Sequence, residues 1–275
     1  MKKVFQSMFQ VAAFCTLLFA CKKESIQDNH SLQTFDAGPS VNGMVASPKT
    51  YTLIKHGQDT VIFKDGQISK VQRDAANFTN YYYGESSAYT VTYINGQVDN
   101  EIQYLYFPNG KVERTMHKTW PVVNGVPTLK EVFYYYNYSA DGKLKKRYNV
   151  NAPGERSEYI YDSNGNLKEV QYFYTANGQP YRKIFLTYAL PNARPLPDNL
   201  KLNFGLSGFD THMKVFGTFS KHLPLNIKVQ EVGVTIADEQ YAYTLNADGY
   251  PTNCNITYKN TSRSESVGFK YQGVR

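Results

Sequence analysis

The sequence predicts an all-β fold, an extended antiparallel meander of repeated β-hairpins, and three observations carry that reading. The 275 residues include 24 Tyr and 16 Phe against one Trp, a ring-rich composition that favours strands. Asn-Gly or Asp-Gly occurs nine times where composition would give about two pairs by chance, and this dipeptide is the strongest short-range hairpin signal. Between the pairs run short segments that alternate apolar and polar residues, the period of a strand with one buried face. An aromatic share of 15% excludes a disordered chain, and the absence of a glycine at every third position excludes a collagenous one. A polytopic helical membrane protein is excluded as well, because only the first twenty residues hold a long apolar run.

The first element is a signal. Lys2 and Lys3 precede the apolar run VAAFCTLLFA at 11–20, and LFAC at 18–21 closes it ahead of Lys22 and Lys23. A run this short is about half of what spans a bilayer, so residues 1–20 read as a removable secretory signal. The tetrapeptide is similar to a bacterial lipobox, which implies acylation of Cys21 and a membrane partner reached through that lipid. Loss of Cys15 with the signal and acylation of Cys21 leave Cys254 the one thiol, so no internal disulfide is expected. The formal charge of +7 falls when the two signal lysines leave, too mild and too dispersed for a nucleic-acid footprint.

Residues 21–50 are polar and rich in Gly, Pro and Ser, and they read as a flexible tether with a mean reach of about 30 Å. Residues 51–190 form the hairpin region. Within it EIQYLY at 101–106, EVFYYY at 131–136 and EVQYFY at 169–174 repeat one strand, each followed closely by its Asn-Gly or Asp-Gly. Alternation places Tyr104 and Tyr106, Tyr134 and Tyr136, and Tyr172 and Tyr174 on one face, while lysines and arginines on the returning segments suit cross-strand pairing with the glutamates. Repetition of hairpins leads us to expect quasi-linear growth of the sheet. Residues 191–224, with four prolines over 191–224 and glycines at 205, 208 and 217, read as an irregular insertion holding at most one short helix. Strands resume at 225–236, 240–245, 253–258 and 268–271.

YIYDSNGNL at 159–167 resembles the tyrosine-aspartate repeat of Rhs-type surface and toxin-shell proteins, with shorter copies in YSADGKL at 138–144 and YTLNADGY at 243–250. Together with the lipobox, the layout is similar to repeat-bearing envelope lipoproteins of Gram-negative bacteria over roughly residues 90–275. The resemblance implies an extended β architecture in the cell envelope, on the outer membrane, and no catalytic residues.

Chemistry-bearing residues are few. Asp162-Ser-Asn-Gly-Asn166 has its glycine fourth and Phe173 at position twelve, so it is a turn and not a calcium loop. The five histidines show no ligand spacing and read as solvated side chains. Glu155 with Glu158, or Asp238 with Glu239, would have to converge to serve as a hydrolase pair. Cys254 shares its strand face with Ile256 and reads as a buried hydrophobe. The six tyrosines either build a core, which alternation favours, or form a strip that stacks sugar rings. The expected protein is therefore a lipid-anchored binding or scaffolding protein with no enzymatic activity, metal or cofactor, whose partner is a glycan or an envelope protein. The rivals are a lipid carrier with an apolar groove and an envelope hydrolase using 190–224 as a loop.

Overall fold

The computed structural model describes residues 51–273 apart from 124, 176–177, 190–194, 201, 204–205 and 207. The signal, the tether and Cys21 lie outside the described residues. Ser47–Arg275 forms a compact unit by itself.

The wall opens with β1 Tyr51–His56, β2 Asp59–Lys64, β3 Gln67–Gln72, β4 Phe78–Tyr83, β5 Ser87–Ile94 and β6 Gln97–Tyr106. β7 Val112–Thr119 and β10 Lys130–Tyr138 flank a small ribbon of β8 Val122–Val123 and β9 Val126–Pro127. β11 Leu144–Asn149, β12 Arg156–Tyr161, β13 Leu167–Phe173 and β14 Arg182–Thr187 follow. β15 Asn226–Glu231, β16 Val234–Leu245, β17 Pro251–Tyr258 and β18 Ser264–Gly273 complete the chain. The only helical turn among the described residues is Lys214–Phe216.

Apart from the ribbon, every strand pairs antiparallel with its neighbours, and β1 pairs with β18 from Tyr51 opposite Gly273 onward, closing a barrel. The all-β antiparallel meander expected from the sequence is present, but it closes instead of growing linearly. Closure satisfies the two edge strands that an open sheet would leave unpaired, and the right-handed twist of a long sheet brings those edges together.

Connections alternate between two rims. The turns after β2, β4, β6, β10, β12 and β16 share one rim with residue 51, residue 273 and the long connection 188–225. The turns after β1, β3, β5, β7, β11, β13, β15 and β17 share the other. At Asp65-Gly66 and Asn95-Gly96 both turn residues have positive φ, as a two-residue hairpin requires. A further turn of this kind breaks the strand expected at 225–236. Val232 (φ 47°) and Gly233 (φ 81°) divide it into β15 and β16, a turn invisible to a search for Asn or Asp.

Wall residues sort cleanly by face. Tyr81, Tyr104, Tyr136 and Tyr159 point inward from β4, β6, β10 and β12, all four buried. The intervening strands offer smaller side chains, among them Ala88, Thr90, Thr115 and Val170, also buried. Large rings beside small residues let the inner surface interdigitate, and the Tyr136 hydroxyl meets that of Thr115 at 3.0 Å. The outer face is mixed, with Tyr82, Tyr135, Tyr148 and Ile160 set among charged residues. Lys183 reaches Glu169 at 3.6 Å, a cross-strand pair of the kind expected from the repeat, and Lys118 of β7, the wall strand preceding β10, reaches Glu131 at 3.4 Å.

Candidate functional site in and around the plugged lumen

Between β14 and β15 the described residues of the connection 188–225 pack into the lumen. Its apolar side chains explain why. Leu206, Phe209, Met213, Phe216 and Phe219 are all buried, in one cluster with the inner tyrosines. Phe209 meets the rings of Tyr136, Tyr159, Phe216 and Phe219 with centroids 4.5 to 6.1 Å apart, mostly edge to face. Leu200 and Leu202 pack on the opposite wall, against Cys254, Ile256 and Phe269. The segment is thus a plug with both faces engaged. Over its described residues the insertion expected at 191–224 is irregular in backbone, and its apolar side chains are core.

Polar groups hold the plug at chosen points. The Tyr81 hydroxyl donates to Asp210 Oδ2 at 2.7 Å, and Asp210 Oδ1 accepts from the backbone N–H of His212 and Met213. Asn203 Nδ2 donates to the carbonyls of Asp210 and Met213, which ties the plug's inner bend. Leu167 donates its backbone N–H to the Phe219 carbonyl at 2.8 Å. Asn166, at the end of the repeat-like turn 162–166, is 2% exposed, and its Oδ1 accepts the Lys221 backbone N–H at 3.0 Å. That turn is a turn, as expected, and its last residue also latches the plug.

A cation lies at the tip. The Arg147 guanidinium sits 3.7 Å from the Tyr134 ring centroid and faces Phe209, and a Cβ at Gly208 would come within 2.2 Å of it. Burial opposes its charge, but the hydroxyls of Tyr136, Tyr159 and Tyr134 outweigh burial and leave it above its ordinary value. His56 Nδ1 and His212 Nε2 face each other at 3.3 Å, joining wall to plug, with His56 stacked on Phe269. Burial, then the neighbouring His212, lowers His56 to about 4, and burial also depresses His212. Burial and the charge of Arg147 bring His117 down to about 3. The expectation of solvated histidines is therefore wrong for these three, which are buried where wall and plug pack. No cluster able to hold a metal ion is found among the described residues.

The six ladder tyrosines separate. Tyr104, Tyr136 and Tyr172 are buried, and Tyr106 and Tyr134 are half-buried against the same core. Tyr174 lies beyond the end of β13, 57% exposed, with its ring stacked on Tyr181 at 3.8 Å. The carboxylate neighbours diverge. Glu158 pairs with Arg156, whereas Glu155 accepts from Asn149, and Glu239, bonded by Tyr241, sits on the face opposite Asp238, which accepts from Asn226. Cys254 is 3% exposed, and burial pushes its thiol up to about 12.

Two spaces remain. A partly open cavity of about 20 Å³ beside the plug, lined by Tyr188, Asn203 and Ser220, has room for one water. A more open groove of about 410 Å³ lies on the wall around Tyr82, Tyr89, Gln103, Met116 and Lys118. Register makes Tyr82, Tyr89, Gln103 and Met116 one continuous cross-strand row, and Tyr82 is 52% exposed. The row escapes a search for repeated strands, because β4 and β5 carry no copy of the 101–106 pattern.

No family model and no curated protein matches the chain. Among solved structures, a porin-like protein from Bacteroides uniformis is similar with a TM-score of 0.56 at 12% identity, covering 83% of this chain and 98% of that one. A porin-like protein from Bacteroides vulgatus gives a TM-score of 0.53 at 16% identity, over 80% and 98% of the two chains. The likeness is one of fold. A barrel that spans a bilayer lines its interior with polar groups, whereas the described lumen here is lined by apolar and aromatic side chains.

Proposed function

We propose that this chain is a cell-envelope protein, acylated at Cys21 and held by that lipid at the outer membrane, whose barrel binds or scaffolds and performs no chemistry. The observation that carries the reading is the filled lumen. With Phe209, Phe216 and Phe219 packed against the inner tyrosines, the described residues of the plug fill the lumen at their level, and recognition falls to the outer wall. The groove around Tyr82 and Tyr89 supplies what a glycan needs: exposed ring faces for the apolar side of a sugar, with Gln103 and Lys118 as hydrogen-bonding neighbours. An envelope protein presenting such a glycan would engage the same row. A lipid carrier would need an enclosed apolar space far larger than one water. The resemblance of 159–167 to the tyrosine-aspartate repeat supports the same compartment.

The test has two arms. Cys21→Ala should convert the protein from carbonate-resistant to carbonate-extractable in membrane fractions, and unchanged resistance would remove acylation from the proposal. Tyr82→Ala and Tyr89→Ala should each weaken capture on a glycan array while leaving thermal stability within about 1 kcal/mol of the parent, as partly exposed sites allow.

A further inference from the structure

The exposed apolar side chains are not spread evenly. Most of those among the described residues lie at the rim opposite the plug's entry, on five turns that follow one another round the barrel. The turn after β5 is flanked by Ile94 and Val98, and the ribbon after β7 shows Val122, Val123 and Val126 to solvent. Val150 and Tyr174 stand at the next two turns, and the turn after β15 carries Val232, 84% exposed, with Val234 and Ile236 beside it. The other three turns of this rim are polar, with residues such as Gln58, Arg73, Asp74, Lys259 and Arg263. An apolar arc next to a polar one gives the rim two sides.

Val232 adds an independent observation. A β-branched residue at φ 47° is strained, and the equivalent turns at 65–66 and 95–96 avoid that strain with Asp and Asn. Strain kept at an almost fully exposed tip has no folding benefit, which points to the side chain's own use.

We propose that this arc docks on a lipid bilayer, its aliphatic tips entering the boundary between headgroups and acyl chains while the barrel stays outside the membrane. Successive turns on one rim are about 10 Å apart, since each is two strands from the next. Separate tips at that spacing, divided by polar turn residues, offer a folded partner no continuous patch, whereas a fluid bilayer accepts each tip singly. The chain outside the described residues allows it. β1 begins at the opposite rim, and residues 22–50 can extend to about 100 Å, several times the rim-to-rim height of about 30 Å, so a lipid at Cys21 and the arc can meet the same bilayer. The inference does not depend on acylation, since the arc lies wholly within the compact unit.

The test uses that unit, Ser47–Arg275, which contains every strand of the barrel and lacks both Cys21 and the signal. It should co-sediment with vesicles of phosphatidylethanolamine and phosphatidylglycerol. Val122→Asp combined with Ile236→Asp should weaken binding about tenfold or more, while Ile160→Asp, an exposed site on the outer wall, should not. Val232→Asn should weaken binding while raising the melting temperature, a combination that a structural role for the valine does not produce. No vesicle binding by the parent, or binding unchanged in the double variant, overturns the proposal. A change of oligomeric state in the double variant without vesicle binding overturns it in favour of self-association. None of these outcomes bears on Cys21 or on the Tyr82 groove, so failure here is separable from failure of the proposed function.

Discussion

Asn166 shows how much one side chain can control. Its amide receives the plug's Lys221 backbone N–H and makes a 3.0 Å hydrogen bond with His222 Nδ1, while its own backbone N–H donates to Asp162 Oδ1. Asn166→Ala strands a buried donor, and we expect a loss of about 1 to 3 kcal/mol in denaturant unfolding. The histidines set a second outcome. His56, lowered to about 4, and His212 hold fewer protons folded than unfolded, so the stability they govern is present above the unfolded value of about 6.5 and is lost as pH falls toward the folded one. Melting temperature should fall as pH drops from 6.5 to 4, and His56→Gln with His212→Gln should reduce that slope, leaving the share that His117 contributes. A profile of unchanged slope would show that other groups drive the acid loss.

Among the elements, the plug is the one on which the others depend. Phe216 is 1% exposed between Tyr104, Tyr136 and Phe209, so Phe216→Ala should cost about 3 to 5 kcal/mol, against less than about 1 kcal/mol for Phe107→Ala on an exposed turn. Equal effects on the two melting curves would show that the plug is not core. The contrast also marks where the sequence was readable. Asp65-Gly66 and Asn95-Gly96 announce their turns because their chemistry and positive φ coincide locally. The plug's role was hidden because prolines and glycines fill the same stretch. Still, Phe209, Met213, Phe216 and Phe219 recur every three or four residues, more apolar weight than an exposed loop carries, and that spacing was the available signal. The tyrosine ladder was legible as a buried face, but its partner was not, since alternation says that a face is covered without saying by what. The Tyr82 row depends on registers between β4, β5, β6 and β7 that no local pattern encodes.

For the whole molecule, a barrel whose interior is packed with apolar side chains should behave as a solid body. Purified protein added to planar bilayers should leave conductance at the level of the bare membrane, and stepwise channels would contradict the filled lumen. Far-ultraviolet circular dichroism of Ser47–Arg275 should show almost no helix, since the described residues contain a single helical turn.

The order of elements along the chain has one more consequence, for how the molecule assembles. The plug is synthesised after β14 and before β15, while the wall is complete only when β18 reaches β1, more than two hundred positions away in sequence. Filling therefore precedes sealing. A nascent chain can collapse its early hairpins onto the phenylalanines of the plug as a half-open trough, and nothing has to be threaded through a finished ring. The last event is then the pairing of the two terminal strands, which carries the largest loop-closure entropy of any contact in the barrel and sets the pace of refolding. Until that seam closes, β1 and its partner edge are open templates for a second chain, so crowded refolding should yield strand-exchanged oligomers and dilute refolding monomers.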